Sequence, residues 1–408
     1  MRLISLLFFS TFSVIKLIAQ LGCTDSQANN YNASATINDG SCTYSASSIS
    51  VIASQTLNIA IKETSGLIKF GNLIYTHNDD TDLNLYALDT ITGAITQTHS
   101  LPAVVNTDWE EISQDSNYVY IGDFGNNVSG NRTDLHILKI SKISLLTNSP
   151  VVDTIYFSYS NQTNYTATST NNTDFDCEAF IVTTDSIYLF TKQWVSNGTS
   201  IYSLPKQKGS YVANLKATLN VQGLVTGATL LQNKKIIALC GYSSFIQPFI
   251  YLLYDYTGNN FVNGNKRKIS ISLPYYPTEG ITTTNGIKYY LSNERYINGP
   301  LNNPQQLHIL DLSSFLSTYI NSFLPTQISE VELNNTISIY PNPCADKLTV
   351  SINNTLIGEP FKLFDASGKL VLKGLLKKQT EEINLSKLTK GVYTLLVGEK
   401  LTKKIVIA

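Results

Sequence analysis

Charge is scarce in this chain. Only 14% of its 408 residues are Asp, Glu, Lys or Arg, and the formal net charge is -1. No basic field exists to hold a phosphate backbone, so no nucleic-acid partner is expected. Histidine is scarcer still, with four in all: His77, His99, His136 and His308. That number weakens any Ser-His-Asp or histidine–metal chemistry. A Gly-x-Ser-x-Gly elbow, a His-Glu-x-x-His pair and a phosphate-cradling glycine loop are all missing. Methionine occurs once, and five cysteines leave at least one thiol outside any intramolecular bridge. The main long apolar run, residues 3–18, follows Arg2 and is broken by Lys16. It is too short and broken to anchor in a membrane and reads as a secretory signal over 1–19, cleaved after Ala19. Lipid attachment at Cys23 is the alternative, although Leu21 sits one place late for that pattern.

Tyrosine is abundant instead, with 24 copies among many Asn, Ser and Thr residues, a composition suited to β-structure. The length allows two or three domains. The stretch Asp108-Trp-Glu-Glu-Ile112 opens an apolar strand, a polar turn and a second strand ending at Gly-Asp-Phe-Gly-Asn-Asn127. The same order recurs from Thr64, Asp176, Val225 and Thr278. The five copies align at Gly66, Glu111, Ala179, Ala228 and Gly280, roughly 45 to 70 residues apart. A strand-only period of this kind predicts an all-β fold, a β-propeller of five blades over 46–325. Six blades are the alternative, because the second gap is the longest. Its Ser/Thr/Asn-rich stretch, 160–174, reads as a solvated loop. The fifth copy has no convincing fourth strand. The weakly alternating stretch 49–61 reads as a strand that fits that vacancy and would lock the ring with the N-terminal end.

The motifs Thr76-His-Asn-Asp79, Asp108-Trp-Glu-Glu-Ile112, Ile121-Gly-Asp-Phe-Gly-Asn-Asn127, Asp176-Cys-Glu-Ala179 and Glu279-Gly-Ile281 resemble a group of secreted bacterial propellers. The likeness covers about 60–325 and implies the fold more than any activity.

Residues 20–45 form a Cys-bounded, Asn/Asp-rich module. Gly22-Cys-Thr-Asp25 and Asp39-Gly-Ser-Cys-Thr-Tyr44 resemble a small repeat of secreted bacterial proteins. The resemblance implies that Cys23 and Cys42 close a loop, worth roughly 3 kcal/mol on chain-entropy grounds. Asp25, Asn30, Asn32, Asn38 and Asp39 offer hard oxygen ligands for calcium, or simply make the turns.

After a linker over 326–336 the pattern changes. Short alternating strands over 337–408 predict a small Ig-like β-sandwich. Tyr340-Pro-Asn-Pro343, Asp365-Ala-Ser-Gly-Lys369, Gly391-Val-Tyr393 and the lysine-led last strand resemble the type A C-terminal sorting domain of the bacterial type IX secretion system. This implies the secretion machinery as a partner through 337–408. It also implies release, or attachment at the outer-membrane surface of a Gram-negative bacterium.

In each blade the start of the inner strand and the end of the next lie at one face. That mouth gathers Glu110, Glu178 and Glu279 with His77, Asn78, Asp79, Asp123, Asn126, Lys192 and Arg295. Carboxylates so gathered need a cation or shifted pKa values. Calcium on Glu110, Glu178, Glu279 and Asp123 meets that need, and so does a polar ligand held by both charge signs. Capping of strand ends is the structural alternative. Trp194 could serve as a sugar platform, and Trp109 is expected as a wedge between blades. The function expected is binding of a polar small molecule or glycan. The alternative is a calcium-assisted hydrolase of phosphoesterase, lactonase or glycosidase type.

Overall fold

The computed structural model describes residues 19–323, 337–398 and 401–408; the expected signal segment up to residue 18 and the linker lie outside them. Five antiparallel four-stranded units follow one another along the chain. Their inner strands are Thr64–Phe70, Trp109–Gln114, Asp176–Val182, Leu224–Leu231 and Thr278–Thr283. Each packs beside the next, and the fifth packs beside the first, so the ring closes with five blades. Inner strands have neighbours on both faces, and every residue of Asp176–Val182 is accordingly buried. Outer strands alternate more and less buried positions, as in Asn265–Ile271, where buried and half-buried residues take turns.

The fifth blade has inner strands from one end of the propeller and its outermost strand from the other. Ala53–Thr56 pairs antiparallel with Gln306–Asp311, in the place the sequence left open. The element is shorter than residues 49–61. Ser48–Ile49 pairs separately, adding parallel to Asn265–Ile271 at the edge of the fourth blade. Ile59–Ile61 is a 3-10 turn in which the Ala60 amide donates to the Asn58 side chain. One short segment thus ties two blades together before entering the first. Blades two and three are joined differently. Their outer strands Val152–Tyr159 and Gly209–Leu219 pair in parallel, making one eight-stranded sheet. Residues 160–174, in the long gap, hold no strand.

The Cys23–Cys42 disulfide is formed. Its module sits on the fourth blade. Asn38 Nδ2 donates to Asp255 Oδ2 and Asn265 Oδ1, and Lys266 Nζ donates to Gly40 O. Arg267 lies between the rings of Tyr44 and Phe315. The oxygens of Asn32, Asn38 and Asp39 accept amides two residues on, as turn formers do. At the other end of the chain, Ile337–Tyr340, Lys347–Ile352 and Thr380–Asn384 form one sheet. Leu370–Leu375, Pro360–Phe364, Gly391–Val397 and Leu401–Ile407 form the second. Leu348, Val350, Leu363, Leu395 and Ile405 fill the space between them. This sandwich touches the first blade, where a Cβ on Gly71 would lie 2.6 Å from Gly358 O.

Candidate functional site: an acidic channel mouth

A local irregularity in the inner strands sets the site. Against their neighbours, the inner strands shift register between Glu111 and Trp109, Cys177 and Ala179, and Thr278 and Ile281. The residues passed over are Glu110, Glu178, and Glu279 with Gly280. A β-bulge leaves such a residue outside the ladder and re-aims its side chain. The fourth blade bulges at Thr226 and the first at Gly66 and Leu67. The three glutamates are therefore aimed by the same backbone device at one mouth of the channel.

Two clusters result. Glu110, Asp176 and Glu178 are buried, and one carboxylate oxygen of each lies within 4.8 Å of the others. Asp108 joins them: a Cβ on Gly125 would lie 2.2 Å from Glu110 Oε1 and 2.3 Å from Asp108 Oδ2. Glu63, Asp79 and Glu294, half-buried, make the second cluster within the same 4.8 Å limit. Lys192 Nζ sits 2.6 Å from Glu178 Oε2. Its ammonium also lies 4.6 Å from the Trp194 ring and 5.2 Å from that of Tyr242. Trp194 Nε1 and the Asn126 amide donate to Asp176, at 2.7 and 2.6 Å.

Burial dominates the electrostatics. It pushes Glu110, Glu178 and Glu279 well above the usual carboxylate range, and neighbouring acids add to the rise. Burial and the charge of Glu294 raise Asp79 to about 8. Burial likewise lifts Glu294 to about 7 and Asp108 to about 6. Burial works against the charge on Lys192, but Glu178 outweighs it and holds the ammonium protonated. Lys192 in one cluster and Lys62, 2.8 Å from Glu63, beside the other face an excess of acids, so at neutral pH the mouth must take up protons or a cation.

The expected residues divide in the structure. Glu110, Glu178 and Lys192 meet. Glu279 and Asp79 face Glu294 electrostatically. Arg295 is half-buried beside them, with its amide on Lys62 O. Asp123 stands apart from both clusters: Arg132 Nη2 lies 2.7 Å from it, and the Thr107 amide donates to its other oxygen. Asp176 takes the place expected for it. Asn126 reaches the site through its amide, while its side chain bonds Phe175 O and the Arg132 amide. His77 is fully buried, edge-on to Trp109 at 5.6 Å, and burial lowers it to about 4. Asn78 Nδ2 ties Ala60 O to Asp82. Trp109 is wholly buried between blades. Trp194 is half-buried under Lys192.

Asp108, Asp176, Glu63 and Glu111 were not among the residues expected at the mouth from the sequence, whereas Glu294 sits at a strand end that the sequence does place there. Asp108-Trp-Glu110 and Asp176-Cys-Glu178 share an Asp-x-Glu spacing, which strand alternation places on one face. Glu111 fills the channel waist. Its carboxylate accepts the amides of Ile112 at 2.9 Å and, across the axis, of Ala228 at 2.6 Å. Small residues around it make the room. A Cβ on Gly66 would lie 2.6 Å from Glu111 Oε1, and one on Gly227 3.2 Å from Oε2.

Residues 338–408 match the secretion system C-terminal sorting domain family. The tail is the export signal of the type IX secretion system, and the protein is a secreted or cell-surface β-propeller. No curated protein matches the chain. Among solved structures it is similar to PorZ, a surface component of that system in Porphyromonas gingivalis. Identity is 13% and the TM-score 0.30, over 85% of this chain and 45% of that one. The chain thus spans under half the length of PorZ. Glutaminyl cyclase of Myxococcus xanthus is 10% identical with a TM-score of 0.40, over 65% of this chain and 98% of that one. An exo-β-1,3-galactanase of Phanerochaete chrysosporium is 10% identical with a TM-score of 0.40, over 87% and 97%.

Proposed function

We propose that the acidic mouth holds a divalent cation, calcium foremost, and through it binds a polar ligand or glycan terminus outside the cell. The observation that carries this reading is the trio Glu110, Asp176 and Glu178, buried with their oxygens within 4.8 Å. Calcium takes oxygen ligands at about 2.3–2.6 Å, so oxygens this far apart can share one ion. An all-oxygen donor set suits a hard cation and disfavours zinc or copper. Two of the three carboxylates come from bulges, which cost ladder hydrogen bonds and serve here to converge charge. Lys192 adds one fixed positive group for an anionic or hydroxyl-bearing ligand. Calorimetric titration of the chelator-treated full chain with calcium should give about one site per chain. Glu110→Gln should weaken it at least about tenfold, roughly 1.4 kcal/mol. No heat with calcium, magnesium or manganese would overturn the reading.

A second reading has its own support. Carboxyls raised to about 7 and 8 at Glu294 and Asp79 stay partly protonated at neutral pH and can donate a proton to a leaving group. A cation-assisted hydrolase would use that acid beside a cation-bound water. Turnover of a phosphate ester, lactone or glycoside that Asp79→Asn abolishes, with calcium affinity unchanged, would favour it.

A further inference from the structure

The channel has a second mouth. Beyond Glu111, the C-terminal halves of all five inner strands surround a cavity of about 380 Å³. Small-molecule sites commonly span about 300–1,000 Å³. Part of the wall is apolar, where the edges of Ile68, Val182 and Leu230, packed between the blades, border the cavity. Seven hydroxyl side chains interrupt it; Thr183, Thr184 and Thr283 use theirs in hydrogen bonds, and the other four are Ser113 and Ser116 from the second blade, Thr229 from the fourth and Thr282 from the fifth. None of the four hydroxyls has a hydrogen-bond partner among the described residues. The charges on this wall, Lys206 and Asp115, lie 3.0 Å apart and offset each other.

We propose that this second mouth binds a neutral polyhydroxylated ligand, the end of a glycan chain, independently of the acidic mouth. Four unpaired hydroxyls are a poor lining for a purely apolar guest, which would strip them of water without replacing its bonds. A wall whose charges offset each other gives an ion no net attraction. A sugar matches both surfaces. Its hydroxyls donate and accept as Ser and Thr do, and its C–H faces meet the aliphatic strip. The Lys206–Asp115 pair supplies one charged donor and one charged acceptor side by side for two adjacent sugar hydroxyls. Glu111 stands between the two mouths, so the guest does not reach the carboxylate clusters. Gln114, Asp115 and Ser116 also line a cleft of about 510 Å³ that Leu356, Ile357 and Val397 of the sorting domain complete. The entrance therefore opens beside that domain, and Ser116 is on its rim.

Saturation-transfer NMR on the full chain, with lactose, cellobiose, maltose, xylobiose, chitobiose and glycerol as probes, tests this. At least one disaccharide should receive saturation. Ser116→Trp, which obstructs the rim from a surface turn, and Thr229→Val, which removes one hydroxyl at constant volume, should each weaken it. Roughly tenfold is expected for the tryptophan. The saturation should persist when a chelator keeps the acidic mouth free of any divalent cation, which separates this result from the fate of the cation site. The proposal fails if no disaccharide responds or if glycerol alone does, the mark of a solvent-filled channel. It fails equally if Ser116→Trp leaves binding intact, or if chelation of divalent cations abolishes it.

Discussion

At the residue scale, Glu111 shows how one side chain can organise a whole molecule. Its position is occupied by Gly66, Ala179, Ala228 and Gly280 in the other blades, and four small residues leave an axial space that one large residue fills. Burial raises its pKa, and the amides of Ala228 and Ile112 oppose that rise. Glu111→Ala would strand those two buried donors at a cost of about 1–3 kcal/mol each. Chemical denaturation of the variant should show the loss as a lower midpoint at unchanged slope. The pattern of one large residue among four small ones was visible in the aligned copies, but its meaning depends on the axis, which no single copy displays. Asp123 makes the converse point. Its place at a strand end suggested the cation site, yet Arg132, nine residues on in the following loop, claims its carboxylate. Loop partners of that kind leave no periodic trace.

At the scale of elements, the blades were legible because inner strands and turns repeat their chemistry. Apolar strands around a polar turn mark each inner pair, and acidic starts mark the second, third and fifth. The outer strands were less distinct, since a half-exposed edge accepts many residues. The closing strand was inferred from a vacancy and is found at Ala53–Thr56, with Ser48–Ile49 on the neighbouring blade. The bulges were not legible. Nothing in Asp176-Cys-Glu178 says that Glu178 leaves the ladder, although that displacement is what aims it. A chain starting at residue 62 loses both pairings and exposes the edge of Gln306–Asp311. Its melting temperature should fall by about 10 °C or more, or it should aggregate. A chain starting at residue 45 keeps both pairings and loses only the docked disulfide module, so its loss should be clearly smaller. Calorimetric scans of the two chains check the ordering.

At the scale of the whole molecule, the sorting tail addresses the propeller to the cell exterior, where calcium is plentiful and disulfides persist. The acidic mouth also gives the molecule a characteristic pH response. Asp108, Glu294 and Asp79 titrate at about 6, 7 and 8 in the folded chain. In the unfolded chain such groups titrate near 4. The folded state thus holds protons that the unfolded state gives up. Stability from these groups is complete below about pH 4 and is lost as pH rises through about 8. Without a cation, the melting temperature should therefore decline steadily between pH 5 and pH 8.5. Replacing Asp79 with Asn should flatten the upper part of that decline. A melting temperature that rises over this interval would show that the acids are stabilised as anions by groups other than a cation.

The most direct measurement is the melting temperature of the chelator-treated full chain at pH 8, with and without calcium. An ion that binds only the folded state stabilises it by about 2.7 kcal/mol at a concentration 100 times its dissociation constant. Calcium should therefore raise the melting temperature by several degrees and saturate. The same addition at pH 5 should do little, because protons then occupy the carboxylates. Glu110→Gln with Glu178→Gln should remove the rise at pH 8. A wild-type chain indifferent to calcium, magnesium and manganese at pH 8 would contradict the account and leave the convergent glutamates as strand-end caps.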